Sequence, residues 1–284
     1  PSFHEGFGLP VLEAMACGAA VIGSNTTSIP EVIGRTDALF DPRSDDAIAE
    51  KLEQVLTDED FRKELKRHGI KQAKKFSWDK SAKLAIAAFE TLNAQKKSSS
   101  ITINSFKRPK LAYISPLPPE KSGISDYSAE LIPVLSAYYD IEIILNQKDV
   151  SDPWINDNTP IHDIEWFRNN KYYFDRVIYH IGNSVFHQHM FDLLNEITGV
   201  VVLHDFFVSA IIAHMENTGC KHHFWINSLY KSHGYQAVKQ RFHSLDKWDL
   251  VWKYPTNLEI LIHALGIIVH SEFSKQLAER WYGS

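Results

Sequence analysis

The chain has 284 residues, of which 44% are hydrophobic and 23% charged, and a formal net charge of −5. This is ordinary globular composition, and the acidic balance excludes the basic footprint of a nucleic-acid binder. Two distant cysteines, Cys17 and Cys220, exclude a disulfide framework, and no apolar run reaches the roughly 18 residues of a membrane-spanning helix. A soluble, cytoplasmic α/β protein of about two domains is expected.

The chain opens at Pro1, directly in a glycine loop, His4-Glu5-Gly6-Phe7-Gly8-Leu9-Pro10. Gly6 and Gly8 permit a tight turn and close backbone approach to a ligand. Pro10 suits the first turn of a helix, where its missing N–H costs nothing. Val11, Leu12 and Met15 offer that helix an apolar face toward a sheet, and Gly18 suits its stop. A helix start facing a glycine loop is an anion site. Its dipole contributes about 0.3–2 kcal/mol, too little alone to hold a diphosphate. Glu5 and Glu13 flank it; carboxylates repel phosphate but accept hydrogen bonds from hydroxyls, which points to ribose or sugar. Taken as an isolated pair, they read first as solvated surface residues.

Further along, Ala20–Gly23 is an apolar run of strand type, and Ile48, Leu52, Val55 and Leu56 share a helical face. Ser77 can cap a helix carrying Trp78, Ala82, Ile86 and Phe89 at helical spacing. Residues 93–109 are Ser/Lys-rich and aperiodic, and read as a linker. A new α/β unit starts with the buried-strand run Leu111–Ser115, followed by the Pro/Gly loop Pro116–Ser125. A helix then places Tyr127, Leu131, Val134 or Leu135, and Tyr138 on one face. Strand runs recur at Ile141–Leu145, Arg176–Ile181, Val200–Leu203 and Gly266–Val269, mostly separated by helical segments, so a parallel sheet is expected. Met215–Pro255 is aromatic and His-rich without strand signal, and reads as a helical insertion or lid. His187 with His189, and Cys220 with His222 and His223, lack a second ligand pair at metal-site spacing, so no metal is expected.

The string Glu5-Gly-Phe-Gly-Leu-Pro-Val-Leu-Glu13 closely resembles the Glu-x7-Glu motif of retaining GT-B glycosyltransferases, especially glycosyltransferase family 4. The resemblance continues through Ser28-Ile29-Pro30-Glu31-Val32-Ile33-Gly34, Asp41-Pro42 and Phe76-Ser77-Trp78, covering nearly all of residues 1–92. It implies that Glu5 holds donor-sugar hydroxyls, Glu13 the nucleotide ribose, and the backbone around Gly6, Phe7, Gly8 and Leu9 the sugar and diphosphate. The family's basic residues for the leaving diphosphate lie upstream of this motif, and neither Arg35 nor Arg43 matches them.

Residues 110–284 resemble the amino-terminal, acceptor-side half of the same fold. The loop containing Gly123 would approach donor phosphates or acceptor, although spacing alone makes it an ordinary turn glycine. Tyr179-His180-Ile181-Gly182-Asn183-Ser184 and Val202-Leu203-His204-Asp205 resemble two further strand ends. By that likeness Asn183 helps bind the donor, His204 hydrogen-bonds the reacting sugar and Asp205 orients the site; His270 is expected to be structural.

The fold implied is two Rossmann-like GT-B half-domains: residues 1–92 the carboxy-terminal part of a donor-binding domain, and residues 110–284 an acceptor-side domain. This order is reversed for one enzyme, and both ends read as cuts through a longer polypeptide, so the expectation is a junction within a tandem glycosyltransferase. The activity implied is retaining transfer of a hexose-like, mannose-type sugar from a nucleotide-sugar donor to a growing glycan or lipid-linked glycan, with the leaving diphosphate helping deprotonate the acceptor. No cofactor is called for. Polysaccharide synthesis and peripheral association of the full protein with the inner membrane face follow by analogy. The competing expectation is a scaffold module that binds nucleotide sugar or glycan without catalysis.

Overall fold

The computed structural model describes residues 1–96, 108–244 and 248–283, without the side chains of residues 88, 89 and 92–96. The chain forms two compact units, one of residues 1–80 with 269–284 and one of residues 81–268.

The first unit contains α1 (Leu9–Ala16), β1 (Gly23–Ser24), α2 (Ile29–Ile33), β2 (Leu39–Phe40), α3 (Asp45–Thr57) and α4 (Glu59–Ala73). Its two short strands pair in parallel, Gly23 opposite Leu39. The expected strand Ala20–Gly23 is thus shifted: residues 20–22 pack as side chains against the Ile29, Ile33, Ala38, Phe61 and Leu65 cluster, and pairing begins only at Gly23. Nor does α1 lie on a sheet. It packs against α4 and α2, where Gly69 lets α4 approach so closely that a Cβ there would sit 3.2 Å from Met15 Cγ. Ser44 caps α3 through Ala47 N–H at 3.2 Å. Its expected apolar face is only partly used: Val55 joins the cluster, whereas Leu52 and Leu56 are exposed.

Helix α5 (Trp78–Lys96) starts at Ser77, whose Oγ accepts from Lys80 N–H at 3.2 Å. It runs four residues beyond the expected boundary at Leu92. The side chain of Phe89 and most of the expected linker, residues 97–107, lie outside what the structure describes.

The second unit follows with β3 (Lys110–Ile114), α6 (Gly123–Leu135), β4 (Asp140–Leu145), α7 (Pro153–Asn158), β5 (Ile161–Asp163), α8 (Ile164–Asn170) and β6 (Arg176–Ile181). Then come α9 (Gln188–Glu196), β7 (Val200–Leu203), α10 (Ser209–Asn217), α11 (Phe224–His243), α12 (Asp249–Lys253), α13 (Leu258–His263) and β8 (Gly266–Val269). The chain ends in α14 (Glu272–Tyr282), which belongs with the first unit. There Ser271 Oγ donates to Gly6 O at 3.4 Å and Glu272 N to Glu31 Oε2 at 3.2 Å.

The six strands are ordered β5-β4-β3-β6-β7-β8, and β5 through β7 pair in parallel. This is the doubly wound, Rossmann-type order, whose direction of winding reverses between β3 and β6. Leu111–Ile114, Ile143, Ile144, Ile178, Tyr179 and Val201–Leu203 are all buried, as expected for strands covered on both faces. Both units are therefore α/β with parallel strands, consistent with a GT-B Rossmann-like fold. The expected insertion is helical, as α10, α11 and α12. Tyr138 does not join the buried face of α6; the helix ends at Leu135, and Tyr139 is buried instead.

Gly199 shows how tightly β7 enters the sheet. A Cβ there would stand 2.7 Å from Val177 O and 2.9 Å from Tyr179 Cε2. Gly199→Ala should lower stability by about 1–3 kcal/mol. At Gly123, in the first turn of α6, a Cβ meets nothing within 4 Å, so Gly123→Ala should be neutral or stabilising by up to about 1 kcal/mol. Urea unfolding of the two variants side by side checks both outcomes.

Candidate functional site

The glycine loop of the first unit is held from behind by hydroxyls. Buried Ser28 Oγ lies 3.0 Å from Glu5 O and 2.9 Å from Phe7 O, sharing its one hydrogen between them. Glu5 N–H donates to Thr27 Oγ1 at 3.2 Å, and Ser2 N–H to Ser24 Oγ at 2.8 Å. Gly8 has φ +102, and a Cβ there would come 2.8 Å from Ile29 Cδ1, so conformation and packing both require glycine. Pro10 has no N–H, and Val11 and Leu12 donate to Gly8 O. The remaining donors of this helix start are the amides of Gly8 and Leu9. Gly18, at φ +79, closes α1 as expected.

Glu5 is half-buried, its Oε1 accepting from Ser2 Oγ at 3.1 Å, and Glu13 is exposed on α1. The Phe7 and Phe76 rings pack edge to face, with centroids 5.6 Å apart. Burial raises Glu31, whose nearest like charge is Glu272. Arg35 is tied to Asp37 and Glu64, which occupies its charge within its own surface. Sequence reasoning singled out the glycines and glutamates but gave no role to Ser24, Thr27 or Ser28. The hydroxyl-rich run Ser24-Asn25-Thr26-Thr27-Ser28 was the signal for them.

In the second unit the residues at the strand ends come together. His204 N–H donates to Ile181 O at 2.9 Å, extending the β6–β7 ladder by one residue. Asp205 Oδ2 accepts from Asn183 N–H at 2.8 Å, and Asn183 Oδ1 accepts from Ile211 N–H at 3.0 Å, tying the β6 end to α10. Gly182 lies in the middle. A Cβ there would meet Ile124 Cδ1 at 2.3 Å, His187 Nε2 at 3.1 Å and Asp205 Oδ2 at 3.2 Å. Gly123, next to Ile124, is exposed at the start of α6, where Ser122 caps the helix through Ile124 N–H. Gly123, Asn183, His204 and Asp205 therefore cluster around one end of the sheet. Burial pushes the Tyr127 hydroxyl up to about 12 and His187 down to about 4, so both stay neutral at pH 7. Cys17 and Cys220 are exposed thiols. Among the described residues no group of three or more His, Cys, Asp or Glu is placed to hold a metal ion, and no helix is long and apolar enough to cross a membrane.

Residues 1–75, which carry the glycine loop, the α1 start and its clasp, match the family described as glycosyl transferases group 1. The individual relatives are more particular. The serotype-specific mannosyltransferase WbdA of Escherichia coli is 58% identical over 92 residues, 32% of this chain and 11% of that protein. The O-antigen chain mannosyltransferase B of Escherichia coli is 47% identical over 92 residues, 32% of this chain and 24% of the relative. A D-inositol 3-phosphate glycosyltransferase of Corynebacterium jeikeium is 34% identical over 94 residues, 32% of this chain and 22% of the relative. The chain spans between about a tenth and a quarter of the length of these relatives. No solved structure matches it.

Two outcomes follow. Gly8→Ala should destabilise the first unit by about 1–3 kcal/mol through backbone strain and the Ile29 clash, read as a lowered urea midpoint. His187 is neutral in the fold, with a pKa near 4 against 6.5 unperturbed. The unfolded chain therefore takes its proton first as pH falls. The stability that neutral His187 contributes is complete above pH 6.5 and lost progressively between 6.5 and about 4. His187→Asn, which cannot titrate, should flatten part of the fall in urea midpoint over that window.

Proposed function

We propose that the protein is a retaining glycosyltransferase that moves a mannose-type hexose from a nucleotide-diphosphate sugar to a growing glycan or lipid-linked glycan. The observation that carries this reading is the glycine loop locked against Ile29 at the start of α1, with Glu5 before it and Glu13 inside the helix. The amides of Gly8 and Leu9, with the positive end of the helix dipole, suit the diphosphate. Glu5 and Glu13 suit the hydroxyls of sugar and ribose, because an ionised carboxylate only accepts hydrogen bonds. The names of the relatives support the mannosyl donor and the O-antigen type of product.

On this reading residues 1–92 are the donor side of one unit and residues 110–284 the acceptor side of another, within a longer tandem enzyme. Gly123 and Asn183 then help hold the donor of the second unit. His204 hydrogen-bonds the reacting sugar, and Asp205, fixed by Asn183 N–H, orients that corner. The nucleotide sugar is a substrate, and the chemistry asks for no resident cofactor. The departing diphosphate takes the acceptor proton as the new glycosidic bond forms. A place at the inner membrane face suits a lipid-linked acceptor.

Glu5→Ala and Glu13→Ala in the full-length protein should each reduce release of nucleoside diphosphate from a mannosyl donor by about 10–1,000-fold, the range for losing a charged contact made to the transition state. Undiminished release in both variants would remove the roles given to these carboxylates.

A further inference from the structure

The end of the second unit's sheet holds a residue with no role in the proposal above. His180 is fully buried on β6, where an aliphatic side chain would avoid the cost of desolvating an imidazole. The ladder sets His180 opposite Val202. His204, two residues on, is then its diagonal neighbour on the same face, within reach of long side chains. His180 Nδ1 and His204 Nε2 are 3.0 Å apart.

The surroundings fix the His180 ring on several sides. It stacks on buried Tyr113, with centroids 4.6 Å apart and planes 27° apart. Tyr113 OH donates to Ser128 Oγ at 3.2 Å, and Ser128 Oγ lies 2.6 Å from Ser115 Oγ. Tyr127 leans against both imidazoles, 5.8 Å from His180 and 4.8 Å from His204. From below, His187 Nδ1 donates to His180 O at 3.0 Å; His187 is held neutral by burial, so that nitrogen carries the hydrogen.

We infer that His180 is a positioning residue, which holds the His204 ring by accepting a hydrogen bond from its Nε2–H. The direction follows from burial. A cation on fully buried His180 is penalised by desolvation, whereas His204 is partly exposed at the open end. That cost favours His180 Nδ1 as the acceptor and His204 Nε2–H as the donor. The same arrangement serves the neutral pair. With Nε2 committed to His180, the pair fixes both the tautomer and the ring direction of His204. The inference rests on the proposed sugar contact of His204 for its purpose, though not for the hydrogen bond.

The test uses the 284-residue chain labelled with ¹⁵N in histidine, without any sugar nucleotide, with His204→Ala to assign the ring. Wild type should show the Nε2–H tautomer of His204. His180→Asn keeps an acceptor near the Nδ1 position and should retain that tautomer. His180→Phe keeps the stack on Tyr113 without the acceptor. It should speed exchange of the ring proton by about tenfold, the size expected for one lost hydrogen bond. An Nδ1–H tautomer in wild type overturns the inference, and this reading decides the matter even where His180→Phe fails to fold. Unchanged ring signals in a folded His180→Phe chain also overturn it. A second arm measures sugar transfer by the full-length protein. Unaltered transfer by its His204→Ala variant, beside ring signals as expected, would sink the sugar contact and leave the hydrogen bond standing.

Discussion

Parallel pairing sends β3, β6 and β7 out of the sheet at one edge, so the loops that leave them must share a small region. Everything assembled in the second unit depends on that register. Val177 faces Ala112 and His180 faces Val202, and the ladder continues through His204 N–H to Ile181 O. A slip of one residue would turn every alternate side chain to the other face and part His180 from His204. Gly182 and Gly199 are crowded points, where a Cβ would stand 2.3 Å from Ile124 Cδ1 and 2.7 Å from Val177 O.

The glycine loop of the first unit obeys a different logic. No ladder fixes it; the clasp of Ser24, Thr27 and Ser28 does, with Ile29 pressing on the back of Gly8. Its backbone donors are set in place by neutral hydrogen bonds and an aliphatic contact, with the carboxylates left at the rim. A loop fixed in this way has its geometry without a ligand, and a fixed geometry lowers the ordering cost of any binding.

Much of this was legible in the residues. Runs such as Leu111–Ser115 and Val200–Leu203 are buried on both faces, and a continuous apolar run between turn signals has few other readings. Glycines at 8 and 18 marked the two ends of α1 for the conformational reasons now visible. Other features were hidden for physical reasons. Ile161–Asp163 is a three-residue edge strand with exposed ends, too short and too polar to carry a period. The apolar run Ala20–Ile22 says that it is wanted by a core, and cannot say whether through a ladder or through side chains alone. Long-range pairs leave no local trace, so nothing near His180 announced His204.

The first unit also has an unusual schedule. Its glycine loop and α2 meet residues 269–284, with Ser271 bonded to Gly6 O and Glu272 N–H to Glu31. At about 5–20 residues per second of synthesis, the loop emerges on the order of tens of seconds before the segment it meets. Closing a contact 265 residues long is also entropically slow. The rate at which these two pieces meet is therefore tied to the distance along the chain between them, whatever the final stability of the unit they build.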